Sequence, residues 1–397
     1  MQTQLATTVL ASAAGKRADE ILRSCVHCGF CNATCPTYLA TGDERDGPRG
    51  RIYLIKDLLE TERSGRIART HLDRCLTCRA CETTCPSGVA YGELAEIARD
   101  HLEATEPRNP FARLVRAWLV AVLPHPHRLR VWARLGSWFR TLLPKALGDA
   151  VPTPQPRRDW VESSAPRRVV VLEGCVQSIA TPEVNATLAR VLARLGVAAV
   201  RVPNEGCCGS LALHLGAAEA ARRHVEANAR ALFESAQDSE AILSTASGCG
   251  VTVKEYGRLA SESGAAEQAR WVAAKTRDAS EYLLGLAALP KSGTPRRVAV
   301  HSPCTLQHGQ RVRGTVERLL ERAGHTLVPT RDAHLCCGSA GTYSVLQARL
   351  ANELRESKIA ALTEAQPDVI ATANIGCALH LAAAAPVPVV HWVELLE

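Results

Sequence analysis

No stretch of this 397-residue chain stays apolar for the about eighteen residues that a membrane-spanning helix needs. The longest uncharged apolar runs, Ala117 to Pro124 and Ala378 to Val390, stop short, and the second contains two prolines. The chain is therefore expected not to cross a membrane. Met1-Gln-Thr-Gln-Leu5 lacks the basic start and long apolar run of a secretory signal, so none is predicted. Also missing is a GxGxxG turn between a strand and a helix, which excludes the usual dinucleotide site, and no other segment proposes a flavin or nucleotide. Acidic residues are absent between Pro107 and Gly148, where eight Arg and Lys residues lie. Since the net charge is +7, the rest of the chain carries a formal −1. The excess is local and has no nucleic-acid reading motif, which argues against a nucleic-acid binder.

What the chain has is cysteine, sixteen in all. They are too dilute for a disulfide scaffold and too clustered to be core filling, so metal binding in a reducing compartment explains them best. Cys25-Val-His-Cys28-Gly-Phe-Cys31-Asn-Ala-Thr-Cys35-Pro36 and Cys75-Leu-Thr-Cys78-Arg-Ala-Cys81-Glu-Thr-Thr-Cys85-Pro86 both read CxxCxxCxxxCP. Three thiolates on one short loop hold three corners of a [4Fe-4S] cube, and in two-cluster ferredoxins the fourth cysteine crosses to the other cube. That pattern assigns Cys25, Cys28, Cys31 and Cys85 to one cluster and Cys75, Cys78, Cys81 and Cys35 to the other. Four sulfurs also suit zinc, but its CxxC pairs are normally set apart by a spacer. The motif resembles the bacterial-type two-cluster ferredoxin domain.

Between the motifs there is room for one or two helices, and residues from Ala6 to Leu22 and Gly92 to Leu102 also have helical spacing. Arg49 and Arg51 are placed either to steady anionic clusters or to form surface ion pairs with Asp43 and Asp46. Phe111, Leu114, Val115, Trp118, Leu119 and Val122 make one apolar helix face. Leu129, Trp132, Leu135, Phe139 and Leu142 make a second, with Arg128, Arg130, Arg134 and Arg140 around it. Such basic, tryptophan-bearing amphipaths suit core packing, a partner groove or an anionic membrane surface. The proline-rich segment from Gly148 to Pro166 reads as a linker.

Beyond it the chain repeats itself. Arg167-Arg-Val-Val-Val-Leu-Glu-Gly-Cys175 aligns with Arg296-Arg-Val-Ala-Val-His-Ser-Pro-Cys304, and Cys207-Cys208-Gly209-Ser210 with Cys336-Cys337-Gly338-Ser339. Cys249 and Cys377 close the two sets, so the register of 129 drifts by only one residue, an internal duplication. Strands are expected near Val169 to Leu172, Ala198 to Val202, Ala241 to Ser244, Val298 to Val300, Val369 to Ala371 and Val387 to Val390, with Thr181-Pro182 capping the first long helix. Alternating strands and helices imply parallel sheets with cysteines on loops just after strands, where such sheets bind ligands.

The expected fold is thus α+β overall, an N-terminal mainly helical dicluster ferredoxin domain and a C-terminal duplicated α/β cysteine-rich (CCG) domain. The boundaries read 1–106 for two [4Fe-4S] clusters, 107–166 for basic amphipathic helices and linker, 167–290 for the first repeat and 291–397 for the second. The CCG loops resemble the cysteine-rich domain of heterodisulfide-reductase-type subunits, whose loop set holds an unusual iron-sulfur cluster and ends in CxxC. Here Thr252 and His380 stand at the last position, His380 reading as a hydrogen-bonded structural residue. Cys175, Cys207, Cys208, Cys249 and Cys304, Cys336, Cys337, Cys377 are accordingly ligands for one or two further iron-sulfur clusters or for zinc.

The two dicluster motifs, Asp46-Gly-Pro-Arg-Gly-Arg-Ile-Tyr53, Thr245-Ala-Ser-Gly-Cys-Gly250, Lys254-Glu-Tyr-Gly257, Pro303-Cys-Thr-Leu-Gln-His308 and His334-Leu-Cys-Cys-Gly-Ser-Ala-Gly-Thr-Tyr343 together resemble the family of glycolate oxidase iron-sulfur subunits along nearly the whole chain. The resemblance implies an electron-transfer component without its own substrate-oxidising site. Flavin-containing dehydrogenase subunits would oxidise glycolate to glyoxylate, and D-lactate too, while this chain carries electrons to a membrane acceptor such as quinone. It would then sit peripherally on the cytoplasmic side of the inner membrane. Alternatives are the iron-sulfur subunit of a lactate or anaerobic glycerol-3-phosphate dehydrogenase, or a heterodisulfide-reductase-type catalytic subunit.

Overall fold

The computed structural model describes residues 1–61, 65–138, 152–161, 163–286, 289 and 291–397. Phe139, Arg140, Leu142 and the start of the expected linker lie outside the described residues.

The N-terminal third is helical. The expected helix from Ala6 to Leu22 is two pieces, Thr7–Leu10 and Ala13–Ser24. The break falls at Ser12, whose hydroxyl caps the second piece by accepting from Gly15 N–H. Helices Pro48–Thr61, Gly65–Asp73 and Tyr91–Thr105 pack Ile52, Ile55, Leu58, Leu59, Leu72, Leu94 and Leu102 against Ile21 and Leu22 in one apolar core. The cysteine motifs hang on short turns at the edge of this core. His27, Thr77 and Arg79 there hold positive φ, which bends each loop back on itself.

Helices Pro110–Val122 and Pro126–Trp138 follow. Leu119, Val122, Leu129 and Ala133 are buried, whereas Phe111, Leu114, Trp118, Val131, Trp132, Leu135 and Trp138 are exposed. Only part of each apolar face is covered, so core packing explains half of the amphipathic pattern.

The C-terminal two-thirds holds two four-stranded parallel sheets with the same strand order, β2-β1-β3-β4 and β6-β5-β7-β8. The strands are β1 (Arg167–Val171), β2 (Val197–Val200), β3 (Ile242–Ser244), β4 (Thr276–Asp278), β5 (Arg297–His301), β6 (Thr326–Val328), β7 (Val369–Thr372) and β8 (Val389–His391). Repeated topology is the duplication in three dimensions. Strands β4 and β6 went unnoticed in the sequence because each is three residues long and begins with threonine, too short for a period to show. Pro182 opens the helix Pro182–Arg194 as expected, but the Thr181 hydroxyl is buried without a hydrogen-bond partner and caps nothing. Gly196, at φ 72°, turns the chain from that helix into β2.

One apolar core joins the repeats, with Val169, Leu188, Leu192 and Leu243 of the first in the same cluster as Val298, Leu319, Val369 and Trp392 of the second. At the seam His391 donates from Nε2 to the Thr245 carbonyl (2.9 Å) and its Nδ1 accepts from Val393 N–H. Burial lowers the His391 pKa to about 4. The unfolded chain takes up this proton first, so the contribution to stability is complete above the ordinary histidine range and fades as pH falls toward 4. His391→Gln should flatten the acid limb of the stability curve between about pH 6.5 and pH 4, as followed by urea unfolding at each pH. An unchanged slope would show that His391 is not the titrating group.

Candidate iron-sulfur and cysteine-rich sites

None of the sixteen cysteines is paired in a disulfide. Cys25, Cys28, Cys31 and Cys85 line one small pocket with Pro48, Ile52 and Tyr91. Cys28 is exposed, so this group sits at the surface. Burial, then the neighbouring Cys25, pushes the Cys31 thiol up to about 11. Crowded sulfurs of this kind are poor thiolates by themselves and become so on meeting a metal, whose charge offsets theirs.

The second group is deeper. Cys81 has Cys78, Cys75 and Cys35 as electrostatic neighbours, and burial raises its thiol well above the ordinary range. The structure therefore brings Cys35 to the second motif's three cysteines and Cys85 to the first motif's. Cys75 behaves differently. Burial alone would raise its pKa, but Arg51 and Arg99, the Thr77 N–H (3.4 Å) and the Tyr91 hydroxyl (3.6 Å) together bring it below the ordinary value. All-sulfur donor sets with cations and N–H groups turned to the sulfurs fit the [4Fe-4S] cubes that the spacing predicts.

Arg51 is no surface ion pair: it is 1% exposed. It donates to the His71 carbonyl (2.8 Å) and to Thr37 (3.1 Å), lies 3.9 Å from the Cys35 sulfur, and is 3.6 Å from the wholly buried Asp46. Asp46 also accepts from His71 and from Arg74 (2.9 Å). Arg49 instead pairs with Glu44 at 2.6 Å, and Asp43 with Arg45 at 2.8 Å.

In the first repeat the Cys175 and Cys207 sulfurs are 3.6 Å apart, and in the second Cys304 and Cys336 are 3.8 Å apart. Cys207 and Cys249 both hydrogen bond to Cys208, and Cys336 and Cys377 both to Cys337, so each set of four is contiguous. Cys207, which accepts from Cys175 and Cys208, lies well below its ordinary pKa. The glycine of each CCG turn has φ 90° and donates its N–H toward the first sulfur of the pair, Gly209 to Cys207 (3.4 Å) and Gly338 to Cys336 (3.5 Å). A Cβ on Gly338 would lie 2.5 Å from the Ala351 carbonyl oxygen, so only glycine fits.

All of these cysteines except Cys337 border one cavity of about 1020 Å³, with Cys78 from the ferredoxin-like part and Trp118 and Trp132 from the amphipathic helices also in its wall. Arg79 clamps the two parts together by pairing with Glu255 and, at 3.6 Å, Glu96, while Arg258 meets Glu96 at 3.0 Å. Thr83 bonds His308 (2.8 Å) and Tyr343 donates to the Arg74 carbonyl (3.1 Å).

Three features escaped the sequence reading. His308 and Glu255 have no local motif that marks them as interdomain contacts. Buried Lys358 donates to the Asp332 carbonyl (2.6 Å) with Cys337 and Cys336 as electrostatic neighbours, a role no spacing announces. His301 lies with Cys337 and Cys377, and its mismatch with Leu172 was already visible in the repeat alignment. His380 donates to the Ala351 carbonyl (3.2 Å), in line with a structural role.

Arg51→Met should lower stability by about 3–5 kcal/mol by leaving Asp46 buried with less compensation, with a loss of iron retention. Anaerobic guanidinium unfolding and iron analysis would read both, and Arg51→Lys should recover only part, since it lacks the planar fork. A loss below about 1 kcal/mol would show that Arg74 and His71 suffice.

Comparison with known proteins agrees with this layout. The 4Fe-4S dicluster domain family matches residues 21–89, and the cysteine-rich domain family matches 169–254 and 298–382. The glycolate oxidase iron-sulfur subunit of Escherichia coli K12 is 46% identical across 100% of this chain and 98% of its own length. A probable glycolate oxidase iron-sulfur subunit of Bacillus subtilis 168 is 31% identical over 92% of this chain and 90% of its own. Lactate utilization protein A of Geobacillus kaustophilus is 27% identical over 58% of this chain and 98% of its own length. Among solved structures, a hypothetical protein from Helicobacter pylori superposes with a TM-score of 0.54 at 8% identity, covering 97% of this chain and 72% of that one, a likeness of fold alone. With two ferredoxin-type cysteine motifs, a doubled cysteine-rich module and a full-length match, the chain belongs to the family of glycolate oxidase iron-sulfur subunits.

Proposed function

We propose that this chain, the electron-transfer component of a glycolate oxidase, receives electrons at the Cys25, Cys28, Cys31 and Cys85 end and releases them at the cavity between the cysteine-rich repeats. The donor is a flavin-containing partner subunit and the acceptor a lipid-soluble quinone. Cys35, Cys75, Cys78 and Cys81 hold the second of two [4Fe-4S] clusters, and the boundaries at residues 106, 166 and 290 separate ferredoxin-type domain, amphipathic segment and two repeats. Bound clusters supply one-electron transfer over a range of about −700 to +450 mV.

One observation carries the reading: Cys78 lies beside Cys304 in the wall of the same cavity that both repeats line. A path between the ends is thus contiguous within the chain. At the entry end, exposed Val26, Phe30 and Tyr53 surround exposed Cys28, an apolar face suited to a partner. At the exit end the cavity has the size of a small-molecule site. Exposed Phe111, Trp118, Trp132 and Trp138 stand with exposed Arg113, Arg128 and Arg134, the chemistry of a helix pair lying on an anionic bilayer. Among the described residues no helix is long and apolar enough to cross a membrane. The helix pair is instead proposed to attach the chain peripherally at the cytoplasmic face of the inner membrane. The lactate utilization relatives favour lactate as a second substrate of the partner subunits, and D-lactate is the form proposed.

In the assembled complex, Cys25→Ser should abolish reduction of the remaining clusters by glycolate while dithionite still reduces them, as followed by EPR. Phe30→Asp, which leaves every cysteine intact, should weaken partner binding with normal iron content. Glycolate reduction that survives Cys25→Ser would move the entry point elsewhere. The Trp132→Ser/Trp138→Ser variant should bind vesicles containing anionic lipid roughly tenfold more weakly than the unaltered chain in co-sedimentation. Equal binding would remove the helix pair from the membrane contact.

A further inference from the structure

The two repeats share topology and cysteines, but the chemistry beside the cysteines differs. Strand register pairs Val170 with Ile242 in the first sheet and Ala299 with Ile370 in the second, which puts His301 where the first repeat has Leu172. His301 pairs in register with Thr372, and its Nδ1 lies 2.9 Å from the Thr372 hydroxyl. It is 3% exposed, and its Nε2 is buried with no hydrogen-bond partner. A buried imidazole nitrogen left alone is costly unless something binds it. What lies near is sulfur: a ring nitrogen of His301 and the sulfurs of Cys337 and Cys377 are all within 4.8 Å of one another.

We propose that His301 is a metal ligand through Nε2, so that the second repeat holds its metal with one nitrogen and cysteine sulfurs whereas the first uses sulfur alone. The hydrogen bond at Nδ1 orients the ring, as outer partners of ligating histidines do. With Nδ1–H donated to Thr372, the Nε2 lone pair is free for the metal. A nitrogen and soft sulfurs together select a transition metal, iron in a cluster or zinc. The Asn374 amide donates toward the Cys377 sulfur at 3.5 Å, and the buried Lys358 beside Cys337 adds a positive charge for these thiolates. The inference rests on the reading that the second repeat binds metal, and the experiment separates the two.

The full chain is purified without oxygen, with and without ¹⁵N-labelled histidine, beside His301→Leu and Thr372→Val. Leucine is the first repeat's own residue at this place, and valine keeps the shape of threonine. Iron and zinc analysis with Cys337→Ser as reference shows whether the second repeat is metallated. If iron is there, pulsed EPR of the reduced chain should show a histidine nitrogen coupling that changes with the label and vanishes in His301→Leu. If zinc is there, absorption at the zinc edge should show one nitrogen at about 2.0–2.1 Å that His301→Leu removes. Thr372→Val should release the metal to a chelator roughly 10- to 100-fold more readily. Metal lost in Cys337→Ser with no nitrogen signal in the unaltered chain would overturn the ligand role alone. Equal metal content in the unaltered chain and Cys337→Ser would overturn both the metallated repeat and the role of His301.

Discussion

Gathering thiolates in a poorly solvated interior is the constraint around which this protein is arranged. Each sulfur taken from water without a counter-charge is pushed toward the neutral thiol, as Cys31, Cys78 and Cys81 show. The chain answers with fixed donors. Arg51 and Arg99 lower Cys75, the glycine N–H of each CCG turn points at a sulfur, and Lys358 stands beside the second repeat's pair. Asp46 in turn keeps Arg51 from being an isolated buried cation, with His71 and Arg74 completing the network. Charge compensation and apolar contact thus meet at the cysteines, which also belong to the apolar clusters around them.

A second consequence concerns where the cysteine sets can stand relative to one another. Parallel sheets present their ligand loops at the carboxyl ends of the strands, so a duplicated parallel sheet has two such loop clusters. Joining the repeats through one apolar core brings both clusters to a common cavity, and docking the ferredoxin-like part with Arg79 and Thr83 sets Cys78 on the same wall. An iron-sulfur electron-transfer subunit of glycolate oxidase needs this continuity, because one-electron transfer depends on neighbouring centres and not on a substrate pocket. Duplication also relaxes the need for identical sites, and the exchange of Leu172 for His301 at matched strand positions makes the two environments unlike.

Much of this was written in residue spacing. CxxCxxCxxxCP is the pattern of two-cluster ferredoxins, in which three ligands share a loop and a fourth crosses over, and the structure does set Cys35 near Cys81 and Cys85 near Cys25. The 129-residue register predicted two similar α/β units, and the two sheets do have the same strand order. Helix positions followed from apolar periodicity, while the break at Ser12 needed knowledge of which backbone groups its hydroxyl could reach. Amphipathic helices were legible as amphipathic. How much of each apolar face is covered depends on neighbours distant in the chain, and Leu119 and Trp118, adjacent in sequence, end on opposite sides of that division.

Local pattern by itself therefore determined the iron-sulfur chemistry and the duplication, because each of these is encoded by residue types at short or repeated intervals. Tertiary structure alone decided that Arg51 is buried beside Cys35 and Asp46, that cysteines from both repeats share a cavity with Cys78, and that His301 lies with Cys337 and Cys377. Those outcomes depend on the burial of charge and on contacts between residues tens to hundreds of positions apart. No interval along the chain records them.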